Sequence, residues 1–244
     1  MARFITFRFD DGFIDGARKA AAALHPSPAS FFVVAGLVDG SARLDHIELF
    51  RGRNFGAVNE WRAMAELGHD VQPHGVSHSN FAELNAEQQR TEVRASVELV
   101  RRIHGGPCIF GFPYNNIVAS LDLTSFGVSA AGFVTASSDE AVVFNRLGDP
   151  EFDRFRLRSW AVRERHFDGI VDQLDSLPEQ SWTILAFHSL DGEGYEPWTS
   201  LGFARLLARV RAAGLQIISI RSMVAQLGAR RSREPSPPDS EVAR

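Results

Sequence analysis

His74 and His78 stand four residues apart, a spacing that puts both imidazoles on one face of a helical turn, where they can converge on one ion. The same spacing also serves two surface or capping histidines, so a third ligand has to decide. Asp11, in the run Phe9-Asp10-Asp11-Gly12, can supply it. One carboxylate and two imidazoles leave a position open for water or substrate, which is the arrangement of a catalytic metal site. Asp-Asp-Gly is equally a good turn sequence. At the mouth of a parallel α/β structure, however, adjacent carboxylates repel each other, and a nearby cation relieves the repulsion. One aspartate can then bind the ion while the other accepts a proton from water. His188 ends the apolar run Thr183 to Phe187. It reads either as a satisfied core histidine or, at the same mouth, as the acid that protonates a leaving amine, without which an amide does not cleave.

The elements that must position these residues alternate short apolar runs with helical patterns, which implies βα units around a parallel sheet or barrel. Strands are expected at Arg3 to Phe9, Ala29 to Val34, Asp70 to Pro73, Cys108 to Gly111, Ala131 to Thr135, Phe155 to Trp160, Thr183 to Phe187 and Leu215 to Ile220. Helices are expected near Gly16 to Leu24, Trp61 to Leu67, His166 to Leu177 and Phe203 to Ala213. Asn85 with Gln88 three residues on has the form of a capping box, opening a long helix to about Ile103. The segment from about Gly36 to Asn59 reads as irregular. No linker or internal repeat divides the chain, so residues 1–228 read as one domain. Residues 229–244, rich in Arg, Ser and Pro, have little to bury and read as a disordered tail.

Composition narrows the function classes. The chain has 244 residues, 44% hydrophobic and 23% charged, enough apolar material for a full core. Its net charge of -4 and scattered basic residues argue against a nucleic-acid partner. The single cysteine, Cys108, excludes an internal disulfide framework and fits a reducing compartment. Met1 leads within a few residues into the first strand, with no space for a leader, and no later stretch approaches the ~20 apolar residues of a membrane span. The expectation is a cytoplasmic protein; oligomeric state is not legible.

Four ordered segments carry a family resemblance: Phe7-Arg8-Phe9-Asp10-Asp11-Gly12, Gly68 to His78, Phe112-Pro113-Tyr114 and Leu185-Ala186-Phe187-His188. Together they resemble the successive motifs of the polysaccharide deacetylase family over roughly residues 3 to 227. The resemblance implies a distorted (β/α) barrel of about seven parallel strands with one divalent metal ion at their carboxyl ends. By position, Asp11, His74 and His78 are the implied metal ligands, Asp10 the general base and His188 the general acid, while the backbone N–H of Tyr114 helps hold the oxyanion. Zinc suits this ligand set best, with cobalt, manganese or iron as other candidates.

The chain departs from the family pattern in two linked places. Many members carry an arginine, paired with the catalytic aspartate, where this sequence has Gly111, and an aspartate where it has Ser159. A cation for Asp10 must then come from elsewhere, and Arg158 is expected to supply it from the strand around Trp160. The glycine after the motif tyrosine is replaced by Asn115, which tolerates left-handed backbone. The functional expectation is a hydrolase that removes an acetyl or formyl group from an amino sugar, as a small-molecule or lipid-linked precursor of a surface glycan. A ring-opening amidase on a small cyclic amide and an inactive sugar-binding relative are the rivals.

Overall fold

Strand β1 (Phe4–Phe9) lies at the centre of the molecule because its two faces are both covered. Phe7 and Phe9 pack outward against Phe203, with ring centroids 5.4 and 5.7 Å apart, while Thr6, Arg8 and Asp10 alternate to the other side. The computed structural model describes residues 2–231. After β1 the chain runs through α1 (Ile14–Leu24), β2 (Ser30–Val33), α2 (Ala35–Val38), α3 (Val58–Glu66), β3 (Asp70–Pro73), α4 (Ala86–Ile103) and β4 (Cys108–Phe110). It continues through β5 (Val128–Ala131), β6 (Val134–Ser137), β7 (Asn145–Arg146), β8 (Arg158–Ala161), α5 (Phe167–Asp175) and β9 (Ser181–Phe187), and ends with α6 (Ser200–Ala212), β10 (Gln216–Ile217) and α7 (Ile220–Arg231).

The strand order β3-β2-β1-β9-β8-β6 is parallel throughout. β10 adds to the start of β1, and β7 is antiparallel to the start of β9. β4 and β5 form a separate parallel pair. β4 abuts β3 through a hydrogen bond from Gly111 N to Pro73 O at 3.1 Å, so the wall is a distorted barrel, as expected. Alternation fills two layers. Phe31, Val33, Leu185 and Phe187 pack among the helices, whereas Phe32, Ile109, Phe133, Trp182 and Ile184 form the second apolar cluster, which includes Ile220 and Met223 of α7.

Local rules hold well where they are strong. The capping box at the start of α4 is complete: Asn85 accepts from Gln88 N at 3.0 Å and Gln88 accepts from Asn85 N at 2.9 Å. Three expectations need correction. The run Ala131 to Thr135 is split between β5 and β6, because Gly132, at φ +100°, turns the backbone between them. The run Leu215 to Ile220 yields only the two-residue β10, after which α7 begins. That helix runs past residue 229 to Arg231, so the expected start of the tail falls inside it; residues 232–244 lie outside the described residues. Among the described residues, no helix is long and apolar enough to cross a membrane.

Candidate active site

The carboxyl ends of β1, β3 and β9 bring the first ionisable residues together, and the turn after β4 adds Tyr114. Asp10 leaves β1 with its N–H on Phe187 O at 2.9 Å, and Asp11 then takes a left-handed backbone at φ +71°. An aspartate in that region is uncommon, and here the turn swings its carboxylate toward the end of β3. Asp11 Oδ1 lies 3.6 Å from His74 Nε2 and 3.1 Å from His78 Nε2. One potential ligand atom from each of the three residues lies within 4.8 Å of the others, so the set fits a single small cation.

The histidines do not reach this point from a helical turn, as their spacing suggested. Residues 74–78 form a loop after β3, in which Gly75 has φ +76° and His78 φ +50°. Glu92 of α4 holds the loop by accepting hydrogen bonds from Val76 N at 2.6 Å, Ser77 N at 3.1 Å and Ser77 Oγ at 2.5 Å. His74 Nδ1 lies 2.9 Å from Gly111 O. A carbonyl only accepts, so Nδ1 carries the proton and Nε2 is left with its lone pair facing Asp11. Burial pushes the His74 pKa down to about 4, which keeps the ring neutral at ordinary pH. Burial also favours the neutral acid at Asp11, but the hydrogen bond and charge of His78, with His188 and His74 behind it, outweigh that and hold the carboxyl well below the usual range.

Asp10 does have its cation, and the cation is not Arg158. Arg8, two residues back on the same face of β1, meets Asp10 with both prongs: Nε to Oδ1 at 2.7 Å and Nη2 to Oδ2 at 2.6 Å. Its remaining Nη1 donates to Ser159 Oγ at 3.1 Å. The guanidinium carbon lies 3.7 Å from the centroid of Phe133, and Arg8 is only 1% exposed. Strand alternation accounts for the error about Arg158. Ser159 faces Arg8, so Arg158 faces the other way, exposed in a groove of about 500 Å³ with Asn145 and Arg146. Gly111 is left small for a reason of packing: a Cβ there would lie 2.7 Å from Phe32 and 3.1 Å from His74 Nδ1.

Asp10, Asp11, His74, His78, Tyr114 and His188 line one cleft of about 840 Å³. His188 is half-buried at the end of β9, and its ring nitrogens take no hydrogen bond from the described residues; its ring packs edge-on against Tyr195, centroids 5.6 Å apart. The Tyr114 ring sits 4.8 Å from that of His78. Asn115 adopts φ +56°, the left-handed backbone expected of it, and Tyr114 does the same. Sequence reasoning overlooked Arg8, although a signal was present. An arginine between two phenylalanines of a central strand is costly unless paired, and an aspartate two residues away shares its face. Glu92 gave no such signal, since only the fold brings α4 against the loop.

A family model described as polysaccharide deacetylase matches residues 2–138. No curated protein matches the sequence. Among solved structures, the peptidoglycan deacetylase PdaC from Bacillus subtilis superposes with a TM-score of 0.57 at 16% identity, covering 95% of this chain and 94% of that one. A family 4 carbohydrate esterase from Streptomyces lividans in complex with acetate gives 0.57 at 15% identity, covering 88% and 91%. A CE4 family pseudoenzyme from Bacillus anthracis gives 0.55 at 10% identity, covering 91% and 66%.

Proposed function

Since the chain belongs to the polysaccharide deacetylase family, we propose that it is a metal-dependent hydrolase that removes an acetyl or formyl group from an amino sugar. The carrying observation is the convergence of the Asp11, His74 and His78 ligand atoms beside an aspartate that is already paired with a buried arginine. A metal-binding protein without hydrolytic function has no use for that second carboxylate, which the two-pronged contact with Arg8 holds aimed. Loss of the usual arginine at position 111 therefore does not argue for an inactive relative.

Asp11, His74 and His78 would hold a divalent cation, with zinc best matched to these donors, and when bound it would supply Lewis-acid polarisation of the acyl carbonyl. Asp10 accepts the proton of the attacking water. The backbone N–H of Tyr114 donates to the oxyanion of the tetrahedral intermediate. His188 gives a proton to the nitrogen as the C–N bond breaks, so that an amine departs and not an amide anion. Cytoplasmic glycan precursors are the narrower substrate reading, to be compared directly with polymeric chitin.

The test pairs metal analysis with an assay of primary-amine release from N-acyl sugars. Asp10→Asn should retain the metal and lose on the order of 10² to 10⁴ in turnover. Near-normal turnover in that variant would remove Asp10 from the base role.

A further inference from the structure

The described residues expose six large apolar side chains, and four of them, Leu49, Tyr114, Val134 and Tyr195, line the active-site cleft. Apolar surface gathered at one cleft marks a place where a ligand's own apolar surface is covered. Tyr195 is the one beside the proposed acid: its ring stands at 81° to that of His188 and is 49% exposed.

The loop that carries Tyr195, between β9 and α6, is clamped on several sides. Asp191 N donates to Trp198 O at 2.8 Å, and Trp198 N to Ser189 O at 3.3 Å. The Trp198 indole donates to Val162 O at 2.9 Å. Glu196 pairs with both Arg163 and Arg165, and Glu193 accepts from Gly16 N at 3.2 Å. Gly194, at φ +74°, lets the loop lie against the site, since a Cβ there would come within 2.8 Å of Phe13 and 3.1 Å of the His188 Cβ. A half-exposed phenol on a loop held this firmly is a preorganised surface, and it loses little freedom when a ligand covers it.

We propose that Tyr195 is the platform for the ring that bears the scissile amide: the C–H face of the amino sugar lies on the phenol, which directs its nitrogen toward His188. This rests on the reading of His188 as the acid. Tyr195 then selects the amine half of the substrate and is indifferent to the acyl half. The experiment compares an N-acetyl amino sugar with an acyclic N-acetyl amine, using wild type, Y195A and Y195F, all metal-loaded. Y195A should raise KM for the sugar about tenfold or more with kcat within about threefold, and leave kcat/KM for the acyclic amide unchanged. Y195F, which keeps the ring, should restore KM for the sugar. If wild type hydrolyses the amides and Y195A loses both substrates equally, or neither, the platform is overturned while the hydrolase reading stands. A wild type that binds metal but hydrolyses neither substrate overturns the hydrolase reading and this inference with it.

Discussion

Arg8 and Asp10 form a buried pair, 1% and 7% exposed, and a pair of that kind is judged by what happens when one partner is removed. Leaving Asp10 without Arg8 would strand a largely buried carboxylate beside His74, at a cost on the order of 3–5 kcal/mol. Arg8→Ala is therefore expected to lower both stability and turnover. Arg8→Lys separates the two effects, since it keeps the charge but cannot hold both carboxylate oxygens in plane. We expect this variant to fold and bind metal, as measured by circular dichroism and metal content, while its turnover falls by about tenfold or more. Arg158→Ala, on the outward face of β8, should change turnover little; a large loss there would restore Arg158 to the site and displace Arg8.

At the scale of elements, the loop between β3 and α4 decides whether the two histidines meet. Its backbone is pinned on one side by Ala35 N to Gly75 O and Gly36 N to Val76 O, at 2.9 and 3.1 Å, and on the other by the Glu92 carboxylate. His78 holds a left-handed conformation that a free loop would abandon. Partners behind metal ligands commonly account for 10- to 100-fold in affinity, and Glu92→Ala should weaken metal binding by roughly that much. A competition titration against a chromophoric chelator reads this directly. Glu92→Gln, which keeps one acceptor oxygen, should fall between the alanine variant and wild type. Metal affinity unchanged in Glu92→Ala would mean that the backbone contacts from α2 alone hold the loop.

For the whole molecule, a cation bound at the ends of two strands, β1 and β3, ties the barrel together only in the folded state. Binding that favours the native state stabilises it by RT ln(1 + [L]/Kd), about 2.7 kcal/mol at a hundredfold excess over Kd. For a chain of this length that corresponds to a rise in Tm of roughly 5–10 °C. Chelator-stripped protein titrated with zinc in a thermal melt should show the rise, and His74→Ala should abolish it. A melt indifferent to metal in the wild type would count against a shared cation site, because Asp11, His74 and His78 would then gain nothing by converging.

How much of this was legible beforehand follows from the range of each interaction. The capping box at Asn85 and most of the alternation of strands and helices depend on nearest neighbours and periodicity, so the chain alone determined them, while the motifs of the candidate site were legible through their resemblance to the family. Arg8 was half legible: alternation put it on the face of Asp10, but nothing local could say that Phe133 and Ser159 would close around it from 125 and 151 residues away. The parity of β8 was misjudged because Arg158 and Trp160 do share a face, but the bond between Ser159 and Arg8 shows that the opposite face is the one turned into the barrel. The loop geometry at His78, its clamp by Glu92 and the seat of Tyr195 beside His188 were decided by the tertiary structure alone. Each depends on where the barrel brings distant segments together, and an open chain carries no trace of those distances.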